Sequence, residues 1–215
     1  MSADGSTAGD KAGDRALDAF LGLVAERGYV AVALRDVAQA SGLGFADLYR
    51  LHPDKISLAA AFMARIDAEV LAGTPSSIDP EETARDRLFD VMMRRYDALK
   101  PHRAALRALR RAGTRDPMLA LAMGPGLRRS MAAMLEAASV ASDGLPGALR
   151  QNGLLAIHYA VSRVFDGDET MDLSKTMAAL DNRLKTAERW SQLFDKYVKS
   201  PRAGSQPEPP VSSEA

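Results

Sequence analysis

Apolar positions in the first quarter of the chain recur at helical spacing. Leu17, Phe20, Leu21 and Val24 fall at i, i+3, i+4 and i+7 and predict a helix over 14–27, stopped by Gly28. Leu34, Val37 and Ala38 predict a short second helix over 34–40, with Gly42 making the turn after it. A third helix is expected over 45–51; at two turns it needs packing to persist. Pro53 suits the first turn of a fourth helix reaching about 71, with Ile56, Leu58, Ala59, Phe62, Ile66 and Val70 turned inward.

The stretch GTPSSIDPEE at 73–82 is a clear internal loop and marks the expected boundary between units. Beyond it the pattern predicts helices over 80–99, 101–112, 116–124, 126–141, 146–166 and 171–198. The expected dividers are Pro101, Gly113, Gly124-Pro125-Gly126, Asp143-Gly144 and Asp166-Gly167. No segment alternates with the two-residue period of a strand. The expected fold is all-α: a helix-turn-helix unit over 14–72 and a larger helical bundle over 80–199. Small and polar residues predict a disordered arm over 1–13, and Pro, Ser and Gly predict a disordered tail over 200–215.

Composition narrows the chemistry more than the fold. The chain holds 215 residues and no cysteine, which excludes disulfides, thiolate metal sites and cysteine nucleophiles. Its 3 histidines show no metal-ligand pairing, so no metal site is expected. Nor is there a glycine-rich phosphate loop, a nucleophile elbow or a paired-carboxylate motif; neither catalysis nor a cofactor is implied. Apolar runs are too short for a membrane span and the first residues lack a secretory core, so a cytoplasmic location is expected. The formal net charge is +0, and any attraction to nucleic acid must come from a local cluster.

The order helix, glycine, helix, glycine, short helix, Tyr-x-x-x-Pro-x-Lys resembles the tetracycline-repressor (TetR) family of bacterial regulators. The resemblance rests on Ala25-Glu26-Arg27-Gly28-Tyr29, Leu34-Arg35-Asp36-Val37-Ala38, Gly42-Leu43, Leu48-Tyr49-Arg50 and Pro53-Asp54-Lys55. It implies a homodimer whose N-terminal units bind a palindromic double-stranded operator through a helix in the major groove. It also implies a small-molecule pocket in the larger unit and dimerisation through helices after 145. The residues that would meet DNA are Arg35, Gly44, Phe45, Asp47, Tyr49, Arg50, His52 and Lys55. Val32 and Ala33 stand where the family usually has a capping Ser or Thr. Between 11 and 73, Lys11, Arg15, Arg27, Arg35, Arg50, Lys55 and Arg65 are matched by Asp14, Asp18, Glu26, Asp36, Asp47, Asp54, Asp67 and Glu69. That balance predicts modest, strongly salt-sensitive DNA affinity.

In the larger unit, Arg103, Arg107, Arg110 and Arg111 form one helical stripe, read either as a solvated face or as an anion-attracting one. Met92, Met93, Met118, Met123, Met131 and Met134 suit either plain core or an adaptable apolar pocket. As a pocket, the expected ligand-holding set is Met92, Met93, Tyr96, His102, Met123, Met134, His158, Tyr159 and Phe165, taking a small apolar or amphipathic ligand. Trp190, Leu193, Phe194 and Tyr197 share a face of the last helix, which fits packing or peripheral membrane contact through 186–199. Short runs, Arg87-Leu88-Phe89-Asp90, the stretch 97–103 and 180–184, resemble ubiquinone-biosynthesis accessory proteins of the same fold. Those proteins bind lipid and have lost DNA binding, which is the alternative reading.

Overall fold

The computed structural model describes the backbone of residues 4–199 except 76, 78 and 80, and side chains from 11 to 189 with the same exceptions. The expected tail over 200–215 and the side chains of Trp190, Leu193, Phe194 and Tyr197 lie outside the described residues. The described residues form nine α-helices and one 3₁₀ turn, with no strand: an all-α fold. The helices are α1 (Asp4–Arg27), α2 (Leu34–Ser41), α3 (Phe45–Leu51), α4 (Lys55–Ala72), α5 (Ala84–Leu99), α6 (Arg103–Arg115), α7 (Pro117–Ala137), α8 (Gly144–Gly167) and α9 (Ser174–Lys199).

Side-chain caps explain three of the starts. The Asp54 carboxylate accepts the Ser57 N–H at 2.6 Å and begins α4, so Pro53 lies ahead of the cap instead of inside the first turn. Thr83 accepts the Asp86 N–H at 3.2 Å and begins α5. Asp116 accepts the N–H groups of Met118 and Leu119 at 3.0 and 3.2 Å, with Pro117 in the first turn of α7.

Four expected breaks or starts are corrected. α1 runs from Asp4, so most of the stretch expected to be a disordered arm is helical; it contains no proline, and Ala8, Lys11 and Ala12 are favourable helix residues. Pro101 sits inside the 3₁₀ turn Lys100–His102 that joins α5 to α6, so it bends the path without separating the helices. Gly113 lies within α6, where the preceding apolar face (Ala105, Leu106, Leu109, Ala112) is buried and holds the turn. Gly124-Pro125-Gly126 lies within α7 as well. Pro125 is exposed, and its ring removes one hydrogen bond from a solvent-facing side of the helix. Burial of Ser130, Met131, Met134 and Leu135 one turn and more further on keeps the axis continuous.

Packing ties the first four helices to the rest. α1 rests on α2, α4 and α6, while α4 lies along α5 and α7. Phe20, Val37, Leu48, Leu58 and Phe62 meet in the N-terminal core and are at most 0% exposed. α5 packs on α7 and α9, and α8 lies between α7 and α9. Gly147, in the first turns of α8, passes so close to the Ser142 carbonyl that a Cβ would overlap that backbone. Gly147→Ala is therefore expected to cost about 1–3 kcal/mol, read as a lower urea midpoint at unchanged slope.

Candidate nucleic-acid interface and ligand-holding interior

Gly42 adopts φ +68°, a left-handed conformation that costs an L side chain energy, and it turns α2 into α3. α3 is held by Leu48, which is fully buried, while its other side chains stay exposed. The missing cap before α2 is partly made good. Ala33 has no side-chain acceptor, but Asp36 reaches back and accepts the Ala33 N–H at 2.9 Å. Val32, at the other position where a Ser or Thr was expected, is buried and serves the core.

The exposed face of this helix pair carries three of the expected DNA-facing side chains in one row. The Arg35 guanidinium lies 5.4 Å from the centre of the Phe45 ring, and Phe45 lies 6.4 Å from Tyr49. Phe45 and Tyr49 are 45% and 56% exposed, which leaves both free to meet a partner. Gly44 is the N-cap of α3. Arg50 forms an exposed ion pair with Asp47 one turn earlier, so its charge is partly answered within α3. His52 caps the end of α3 through its own N–H to the Leu48 carbonyl at 2.7 Å, and partial burial lowers its pKa.

Lys55 is placed differently from expectation. Its Nζ donates to the Tyr29 carbonyl at 2.8 Å and lies 4.3 Å from the centre of the Tyr29 ring. Partial burial lowers its pKa. Lys55 therefore clamps the α1–α2 loop onto α4 with one of its three N–H donors.

Within the larger unit, Met92, Tyr96, Met134, His158 and Phe165 converge in the core; Met93 is buried beside them. The Tyr96 hydroxyl lies 3.2 Å from His158 Nδ1, the two rings stack at 5.7 Å, and Phe165 lies 5.2 Å from Tyr96. Burial, with Arg95 and Arg110 nearby, pushes the His158 pKa down to about 3 and leaves the imidazole neutral. Burial raises the Tyr96 pKa, so its hydroxyl keeps its proton.

Three other expected members lie elsewhere. Tyr159 is 49% exposed, because it follows His158 by one position and so leaves the buried face of α8. Met123 is half-buried in the first half of α7. His102 packs edge-on against Phe62 at 5.1 Å and borders a surface cavity of about 330 Å³ between α1 and α6, together with Asp18, Gly22, Ala25 and Ala105. Burial first, and then Arg65, lowers the His102 pKa.

Three of the four stripe arginines of α6, Arg103, Arg107 and Arg110, are half-buried, while Arg111 is exposed. Arg103 donates to the Asp168 carbonyl at 2.5 Å, Arg107 donates to the Asp166 carbonyl, and Arg110 pairs with the Asp166 carboxylate. These cations sit at the C-terminal end of α8, where its unpaired carbonyls concentrate negative charge. The solvated-face reading holds for Arg111 and is corrected for the other three, which fasten α6 to the end of α8.

Two buried features were not anticipated. Arg95 is 0% exposed and pairs with Asp67 of α4, whose same oxygen accepts the Ser130 hydroxyl of α7 at 2.5 Å. Its signal was legible: Arg95 follows Val91 and Met92 by four and three residues, on the inward face of α5. Asp168, fully buried, accepts from the Thr176 N–H at 2.8 Å and hydroxyl at 2.7 Å, and from Thr170. Burial alone would raise its pKa, but these hydrogen bonds together hold the carboxyl well below its usual range.

A braced helix-turn-helix on a larger helical bundle defines an all-α protein of the TetR fold. The chain aligns with the TetR transcriptional regulator from Nitrosomonas europaea at a TM-score of 0.67 and 21% identity, over 82% of this chain and 98% of that one. A TetR transcriptional regulator from Rhodococcus sp. RHA1 aligns at 0.58 and 22% identity, over 81% and 96% of the two chains. A third structure, from Rhodococcus sp., described as a TetR-family regulator, aligns at 0.55 and 19% identity over 80% and 98%. No family model matches the chain, and no curated protein matches it.

Proposed function

We propose that the protein is a TetR-type transcriptional regulator, a homodimer that binds a palindromic operator and releases or grips it according to a small ligand. The observation that carries this reading is the helix pair α2–α3, turned at Gly42, with Arg35, Phe45 and Tyr49 on its free face. α1 and α4 bind this head to α6 and α7, giving a packed route from the larger unit to the reading helix. Leu145, Leu149, Tyr159 and Val164 on α8 and Met177 on α9 are exposed apolar side chains and supply the proposed dimer face. A cytoplasmic location and an absence of catalysis belong to the same reading.

The charge balance of the sequence predicts strong salt sensitivity, but with Arg50 paired to Asp47 within α3 the salt dependence proposed for such a protein is shallower. With about two phosphate contacts per protomer, log affinity should fall with log salt at a slope of about −4 for the dimer. Arg35→Ala should flatten that slope by about 2, since each dimer loses two contacts. Fluorescence anisotropy on a duplex from the gene's own upstream region, across a salt series, measures both.

One observation favours the second reading, a lipid-binding accessory protein that no longer binds DNA. Lys55 is held by Tyr29 and Arg50 by Asp47, while Phe45 and Leu51 leave α3 apolar and exposed. Among the described residues no helix is long and apolar enough to cross a membrane, so contact would be peripheral. Liposome flotation with and without residues 186–199 tests this: flotation lost on truncation supports it, and equal recovery of both forms in the soluble fraction speaks against it.

A further inference from the structure

We propose that the interior between α5 and α8 holds the carboxylate of an apolar small molecule, with the side-on edge of Arg95 as its partner. This rests on reading the larger unit as an effector-binding unit and names the chemistry of that effector.

Arg95 is fully buried, yet only Nη1 is engaged, by Asp67. Its Nε and Nη2 are buried and have no partner. These two atoms form the edge of a guanidinium that presents two parallel N–H donors, the geometry that a carboxylate accepts in a bidentate pair. A buried charged donor without an acceptor carries a desolvation penalty, which an incoming carboxylate would relieve.

Arg103 repeats the pattern. Its Nη1 is spent on the Asp168 carbonyl, while its Nε and Nη2 are buried and unpartnered. Its guanidinium lies 4.6 Å from the centre of the Phe165 ring, and Phe165 is 5.2 Å from Tyr96, the residue after Arg95. Arg103, Phe165 and Tyr96 therefore form one contiguous row, and the Arg95 charge acts on Tyr96 and His158 at its other side. The opposing carboxylates are already committed: Asp67 to Arg95 and Ser130, Asp166 to Arg110, and Asp168 to Thr170 and Thr176. The neutral His158 and the Tyr96 hydroxyl add polar partners without adding negative charge.

The surrounding wall is adaptable. Met92, Met131 and Met134 are fully buried in the same core. Methionine side chains change rotamer at low cost, so they can withdraw to admit an apolar tail behind a carboxylate. The ligand class follows: a monocarboxylate with a hydrocarbon or aryl body, not a polyol, a cation or a free inorganic ion.

The test uses the full chain without DNA and compares pairs matched in shape: hexanoate with hexanol, decanoate with decanol, and benzoate with benzyl alcohol. Binding is read by calorimetry and by the methyl resonances of labelled methionine. At least one carboxylate should bind tenfold or more tightly than its alcohol and shift the Met92, Met131 or Met134 methyls. The double variant Asp67→Asn/Arg95→Met, which removes both charges together and so leaves neither stranded, should lose that preference. A carboxylate preference retained by the double variant overturns the proposal. So does equal affinity within every pair, or no binding of any carboxylate by the unaltered protein. Because no DNA is present, carboxylate binding without operator binding would refute the regulator reading and leave this site standing, and the converse would do the reverse.

Discussion

Replacing Asp67 with alanine is expected to destabilise the protein by about 3–5 kcal/mol, because it strands the Arg95 guanidinium in the core without a counter-charge. Arg95 is 0% exposed and Asp67 is its one ion-pair partner among the described residues. Asp67 also takes the Ser130 hydroxyl, so the change unlinks α4, α5 and α7 together. Urea unfolding would show the loss as a lower midpoint. Adding Arg95→Met to Asp67→Ala should recover much of it, since an apolar replacement of a buried pair is often neutral or better. A cost below about 1 kcal/mol, the range of exposed pairs, would mean that the pair is solvated and that the core is not organised around it.

The second large effect is a loss of stability in mild acid. His158 is buried with its pKa lowered to about 3, while an unfolded histidine titrates near 6.5. Below that pH the unfolded state takes up a proton that the folded state refuses, so stability falls as pH falls. The loss is about 1.4 kcal/mol per pH unit, or about 2.7 kcal/mol by pH 4.5. His52 and His102, also shifted downward, add smaller losses of the same sign. Below about pH 4 the Asp168 carboxyl joins them: its folded pKa is depressed, so its contribution is present above the usual carboxylate range and is lost as pH drops. His158→Gln keeps a polar group beside Tyr96 but does not titrate. Denaturation midpoints taken from pH 7 to 4.5 should fall much less steeply in that variant. An unchanged slope would show that His158 is not the main proton-linked group.

The helix-turn-helix was legible because its signals are local. Gly42 supplies the left-handed turn after the helical spacing of Leu34, Val37 and Ala38, and the helix expected over 45–51 is found at Phe45–Leu51. Where tertiary contact decides, local signals misled. Gly113 and Gly124-Pro125-Gly126 are breakers in isolation, but the buried face ahead of Gly113 and the buried residues on either side of 124–126 carry α6 and α7 through them. Lys55 has the spacing of a DNA-contacting lysine, yet nothing in its neighbours announces that the Tyr29 carbonyl lies within reach across the loop. The α6 arginines show the same limit: a charged stripe looks solvated until the chain places the carbonyl end of α8 against it. The methionine and aromatic set was half legible, because inward helical spacing selects Met92, Tyr96, Met134, His158 and Phe165 but not the neighbouring Tyr159.

The reading head is the part of the account on which the function stands. Selection of bound sequences from a random duplex pool at low salt tests it most directly. The proposed dimer should enrich a palindrome whose half-sites are one helical turn apart, or a multiple of that, and Tyr49→Ala should weaken binding to it. A pool that returns no enriched sequence, even at low salt, would contradict the account.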